Sequence, residues 1–107
     1  MRDPSFVGYV KDADYHDATI LSVEQTGDVV RVRVCGYDEK IFVSEFSGVQ
    51  AVRATRPEGM MLYALSEMSS APPLRRFVFT NWHDDDDAAL EIDAETLGVY
   101  EEPANAA

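Results

Sequence analysis

Hydrophobic and polar positions alternate along most of this chain. Val29–Cys35 is the clearest case, with Val30, Val32 and Val34 on one side and Arg31 and Arg33 on the other. A period of two with one apolar face is the signature of a half-buried antiparallel strand. Residues 18–25 alternate as well, placing Leu21 and Val23 on one face and Ser22 and Glu24 on the other. Thr26-Gly27-Asp28 supplies a tight turn between the two, so they are expected to form a hairpin.

The alternation continues beyond the hairpin. Residues 36–40 read as a turn, residues 41–46 as a strand rich in β-branched and aromatic side chains, and residues 49–54 as a weaker strand after Ser47-Gly48. Residues 75–82 carry Phe77 and Phe79 on one face and Val78, Thr80 and Trp82 on the other. Large apolar groups on both faces predict a central strand or one covered on both sides. Leu90 and Ile92 alternate with Glu91 and Asp93, and Leu97, Val99 and Tyr100 make a last strand.

One stretch breaks the period. Met61, Leu65 and Met68 recur at the spacing of one helical face, and Ala64 widens the stripe. Thr55 and Glu58 stand in capping-box spacing, Pro57 suits a first helical turn, and Pro72-Pro73 ends the segment. A short helix near residues 57–69 is expected, with Gly59 as its weak point. The whole reads as mostly β of α+β type: an antiparallel curled sheet, sandwich or partly open barrel of about seven strands with that one helix. With 107 residues and no repeat or linker, it is expected to be a single domain over 1–107, with residues 1–13 a loose arm and 102–107 a frayed tail.

Charge changes the picture more than composition does. Nine Lys and Arg stand against 20 Asp and Glu, a formal charge of −11. All the basic residues precede position 77, whereas residues 77–107 hold acids alone. Such a field repels phosphate backbones and attracts basic proteins, so nucleic acid is not expected as a partner and a basic protein is. Plain solubility accounts for the same charge. No apolar run approaches the ~20 residues of a membrane span, and no basic-then-apolar leader opens the chain. With Cys35 as the lone thiol, no membrane association and a cytoplasmic location are expected.

Four motifs bear on chemistry. The run Trp82, His83, Asp84, Asp85, Asp86, Asp87 is the most unusual. Its bland reading is a solvated hairpin tip beside a core-edge tryptophan. The functional one is a partner-binding patch formed by Trp82 and Asp84–Asp87, because interface hot spots are enriched in tryptophan. His16 and Asp17, with His83, form an alternative ligand or metal set, although no recognised ligand spacing joins them. The arginines at 31, 33, 53, 75 and 76 suggest a basic stripe, for which internal ion pairs are the simpler account. Cys35 ends a valine-rich strand, where an inert role is usual. No nucleophile elbow or phosphate loop is present, so neither a catalytic residue nor a cofactor is implied.

Tyr15-His16-Asp17-Ala18-Thr19-Ile20 resembles the start of several small bacterial families of unassigned function. Phe46-Ser47-Gly48-Val49, residues 58–63 and Arg76-Phe77-Val78-Phe79 extend the likeness over roughly residues 14–100. Some of these families look like immunity proteins of toxin systems. The resemblance implies a β-rich fold with one helix and a protein-binding role. The leading expectation is therefore a non-enzymatic domain docking a basic partner through its acidic C-terminal third. The alternatives are a ligand or metal site at His16/Asp17 and a homodimer through a sheet edge.

Overall fold

The computed structural model describes residues 5–83 and 85–102. The predictions for residues 1–4, Asp84 and residues 103–107 lie outside those described. The chain forms nine strands: β1 (Phe6–Tyr9), β2 (Thr19–Thr26), β3 (Val29–Cys35), β4 (Ile41–Ser47), β5 (Ala51–Thr55), β6 (Leu62–Met68), β7 (Arg75–Asn81), β8 (Ala89–Ala94) and β9 (Thr96–Glu101). They make two antiparallel sheets, ordered β1-β6-β7-β8-β5 and β2-β3-β4-β9. Of the expected arrangements of a mostly β chain, the two-sheet sandwich is the one that fits.

The alternation does what its period dictates. Val30, Val32 and Val34 are fully buried while the arginines between them face out. From the facing sheet come Phe77 and Phe79, and Phe46 fills the gap with ring centroids 5.1 and 5.9 Å from theirs. Each such side chain contributes roughly 1.5–3 kcal/mol on burial. The β2–β3 hairpin closes through Gly27-Asp28, with φ of 60° at Gly27. A positive φ at the first central residue suits a mirror-image turn that follows strand twist.

The helix expected near residues 57–69 is absent among the described residues. Thr55 ends β5, Arg56 and Gly59 take left-handed φ of 40° and 87°, and residues 62–68 are β6. A bulge caused the misreading. Leu62 pairs with Asn81 but Ala64 pairs with Thr80, so one extra residue is inserted at Tyr63. Leu62 and Leu65, three apart, therefore both point into the core, and a bulged strand imitates helical spacing. A second bulge between Ile20 and Ser22 turns Ile20 and Val23 inward and leaves Leu21 exposed, reversing the face expected for Leu21.

The loose arm is also corrected. Phe6–Tyr9 pairs with β6, and Val10 and Ala13 pack against the core. Glu102, assigned to the tail, donates its N–H to the Ile41 carbonyl (2.9 Å) and receives two hydrogen bonds from Arg33. Nine strands replace the expected seven because the arm and the supposed helix each supply one.

Two corners hold the sheets together. The β4–β9 and β5–β8 pairings are halves of one bent ribbon that changes sheet at Gly48 and Glu95. Glu95 N–H donates to the Ser47 carbonyl (3.0 Å) and Gln50 N–H to that of Asp93 (2.9 Å). At the other corner, Ala18 to Ile20 of the β2 side pair with Gly59 to Leu62 at the head of β6. Among the described residues, no helix is long and apolar enough to cross a membrane.

Candidate functional site

The chain between β1 and β2 forms a strap that shapes the main surface feature. Its first anchor is Val10 N–H on the Leu65 carbonyl (2.8 Å), and its second is Asp17 N–H on that of Leu62 (2.9 Å). Between these points residues 11–16 loop out from the edge of β6, over Tyr63 and Ala64. The opening is a groove of about 510 Å³, walled by Tyr9, Lys11, Asp14 and His16 and floored by Tyr63 and Leu65. Its size lies within the usual range for ligand clefts.

Tyr15 fixes the strap from beneath. It is 3% exposed, meets the edges of Phe42 and Phe79, and shares a hydrogen bond of 2.7 Å with Ser44. Burial pushes its phenol up to about 12. A local turn follows, in which Asp14 Oδ1 accepts the His16 N–H at 3.1 Å. Asp17 then adopts a left-handed φ of 62°.

This turn delivers His16 to an exposed aromatic cluster. Its ring centroid lies 5.1 Å from Trp82 and 5.6 Å from Tyr63, edge-on to both, and Tyr63 and Trp82 are 5.7 Å apart. The bulge in β6 turns Tyr63 outward, and Trp82, just past β7, is held by its backbone N–H, which donates to the Met61 carbonyl (2.9 Å). Tyr63 is 46% and Trp82 42% exposed. Trp82 is thus a surface residue rather than a core-edge one. The rings pack against each other too closely to enclose a cation, so any partner group must lie on top of them.

His16 and Asp17 do meet, at 3.4 Å between Nδ1 and Oδ2. His83 donates its N–H to Asn81 Oδ1 (2.8 Å). Among the described residues, no group of three His, Cys, Asp or Glu is arranged to hold a metal ion.

The described part of the acidic run, residues 85–87, is held by local hydrogen bonds and ion pairs. Asp86 N–H donates to the His83 carbonyl (3.2 Å), and Asp86 Oδ1 accepts the Ala88 N–H (3.1 Å). That backbone hydrogen bond, with Arg56 nearby, holds the Asp86 carboxyl below its usual range. Arg56 pairs with both Asp86 and Asp87. Asp85 is exposed and unpaired among the described residues.

Most described acids of the C-terminal third are instead paired. Glu91 and Asp93 pair with Arg53 and Arg76 across the outer face of the five-stranded sheet, and Glu102 pairs with Arg33. All six described arginines have carboxylate partners, so the suggested basic stripe is internally compensated. The charge segregation along the sequence is undone in space, because antiparallel pairing sets late acids beside early arginines.

Sequence reasoning singled out Trp82 and His16 separately but missed Tyr63 and the groove. The signal for Tyr63 was present, in a tyrosine bracketed by Leu62 and Leu65, but it was absorbed into the helical pattern. No family model matches the chain, and no curated protein or solved structure matches it.

Proposed function

We propose that this is a non-enzymatic protein-binding domain that docks a basic partner on the His16–Tyr63–Trp82 cluster and the adjoining groove. The observation that carries this reading is three contacting rings left exposed at the mouth of an apolar groove. Folding gains little from aromatic surface left in water, whereas interfaces draw most of their energy from such anchors. Asp14 and Asp17, both in contact with His16, give the cluster a negative margin, and the net charge of −11 favours the approach of cations. Asp86 and Asp87, already engaged by Arg56, add less than their number suggests. The resemblance of residues 15–20 to families of which some look like toxin-immunity proteins agrees with a protein partner.

Trp82 is the only tryptophan, so its fluorescence reports on the site directly. A titration with an unstructured peptide of alternating arginine and glycine should shift its emission, and the affinity should fall as salt rises. Calorimetry should show Trp82→Ala binding about 10- to 30-fold more weakly, the loss typical of an interface anchor. Equal responses to an acidic peptide of the same length, or none to either, would remove this reading.

A further inference from the structure

A second groove lies on the opposite side of the strap. It has a volume of about 440 Å³ and is bounded by residues 12–14, the β3–β4 turn and the end of β9. Phe42 and Val99 supply an apolar floor. Tyr37, 78% exposed, and Tyr100, 45% exposed, stand on its rim. Asp12, Asp14, Asp38 and Glu101 also line it, against one cation, Lys40.

What sets those carboxylates apart is that four of them line one groove. None of the four forms an ion pair with another described residue, although all six described arginines are paired elsewhere. Asp14 and Asp38 each accept one local backbone N–H, from His16 and Lys40, which fixes their carboxylates and leaves lone pairs free. An apolar floor, exposed tyrosines and four carboxylates without a direct ion pair thus coincide in one groove.

We infer that this second groove receives an arginine side chain from the same basic partner, so that the partner straddles the strap. The inference rests on the proposed reading of the domain as a binder of basic proteins. Charge complementarity names the occupant. A guanidinium is planar and weakly hydrated, stacks on an aromatic face and presents paired donors to carboxylates. An ammonium satisfies the charge but neither the stacking nor the paired geometry. Ala13 and Asp14 line both grooves, so the strap is their common wall.

The test uses the full chain and three peptides of equal length, alternating glycine with arginine, lysine or citrulline. Amide resonances should be followed by NMR, and affinity measured for wild type, Tyr37→Ala and Asp12→Asn/Asp38→Asn. Both variants alter exposed side chains, and thermal melts check that they fold. The arginine peptide should shift the resonances of residues 36–40 and 99–101. The lysine peptide should bind more weakly and citrulline least. Each variant should lose about 10-fold in affinity for the arginine peptide. Shifts confined to Trp82 and Tyr63 would overturn the second groove while leaving the first reading intact. Equal binding of the lysine peptide would overturn the guanidinium assignment. No shift at either place would overturn both.

Discussion

Tyr15 and Ser44 share a buried hydrogen bond of 2.7 Å between the strap and β4, across the interface of the two sheets. Both groups are out of water, so each hydroxyl depends on the other. Tyr15→Phe leaves Ser44 Oγ unsatisfied and should destabilise by about 1–3 kcal/mol, and Ser44→Ala should do the same to the phenol. Removing both should cost less than the sum, with a coupling of about 1–2 kcal/mol. Urea midpoints at constant m-value measure this cycle. Strict additivity would mean that the two hydroxyls do not depend on each other.

The same burial gives Tyr15 a signature in alkali. Its phenol is pushed up to about 12 from the usual 10. Between those values the folded chain keeps a proton that the unfolded chain releases, so stability falls as pH rises. The contribution is whole below pH 10 and is lost through pH 10–12, amounting to about 2–3 kcal/mol. Denaturation midpoints from pH 9 to 12 should decline more steeply for wild type than for Tyr15→Phe. Parallel curves would contradict it.

Asp93 contributes to the acid limb. Hydrogen bonds from Arg76, and then from Arg53, hold its carboxyl below the usual range, and the residue is buried. Its contribution is present above the unfolded value near 4 and lost as pH falls through the lower folded one. The arginines are part-exposed, so Asp93→Asn should cost only about 1–2 kcal/mol at neutral pH. Midpoints of variant and wild type should converge below pH 4, and a gap that persists there would show a packing effect instead.

The corner at Gly48 makes a backbone demand. Its φ is 66°, and a Cβ there would sit 2.6–2.9 Å from atoms of Glu95. Gly48→Ala should therefore destabilise by about 1–3 kcal/mol from the dihedral alone, and further because the Glu95 side chain must move. Chemical denaturation tests this, with Gly98→Ala, where the space is open, as the control. If the two variants are equally stable, the ribbon does not need a glycine at its bend.

Seven of the nine strands were legible because their faces alternate over most of their length, β2 despite the bulge after Ile20. The two that were not are β1 and β6, and both contain bulges. A bulge changes the inward spacing from two to three, which in a sequence resembles a helix turn. Nothing local in Leu62-Tyr63-Ala64-Leu65 distinguishes the two, since the decision is made by pairing with Thr80 and Asn81. The site suffered for the same reason. Tyr63 and His16 reach Trp82 only through that bulge and the strap over it. Charge was misleading in a related way, because the chain order of acids and bases says nothing about which face each strand presents.

Trp82 supplies the cleanest separation of binding from folding. It stands outside the core, with Tyr63 and His16 as its ring partners among the described residues, and aromatic contacts of this kind are worth about 0.5–1.5 kcal/mol. Phe79, three residues earlier, is 2% exposed and packs on Phe46 and Tyr15. Phe79→Ala should cost about 3–5 kcal/mol, whereas Trp82→Ala should cost no more than about 1.5. Guanidinium titrations followed by circular dichroism compare the two. A loss at Trp82 as large as that at Phe79 would make the exposed rings part of the fold's own support, and their exposure would then cease to argue for a partner.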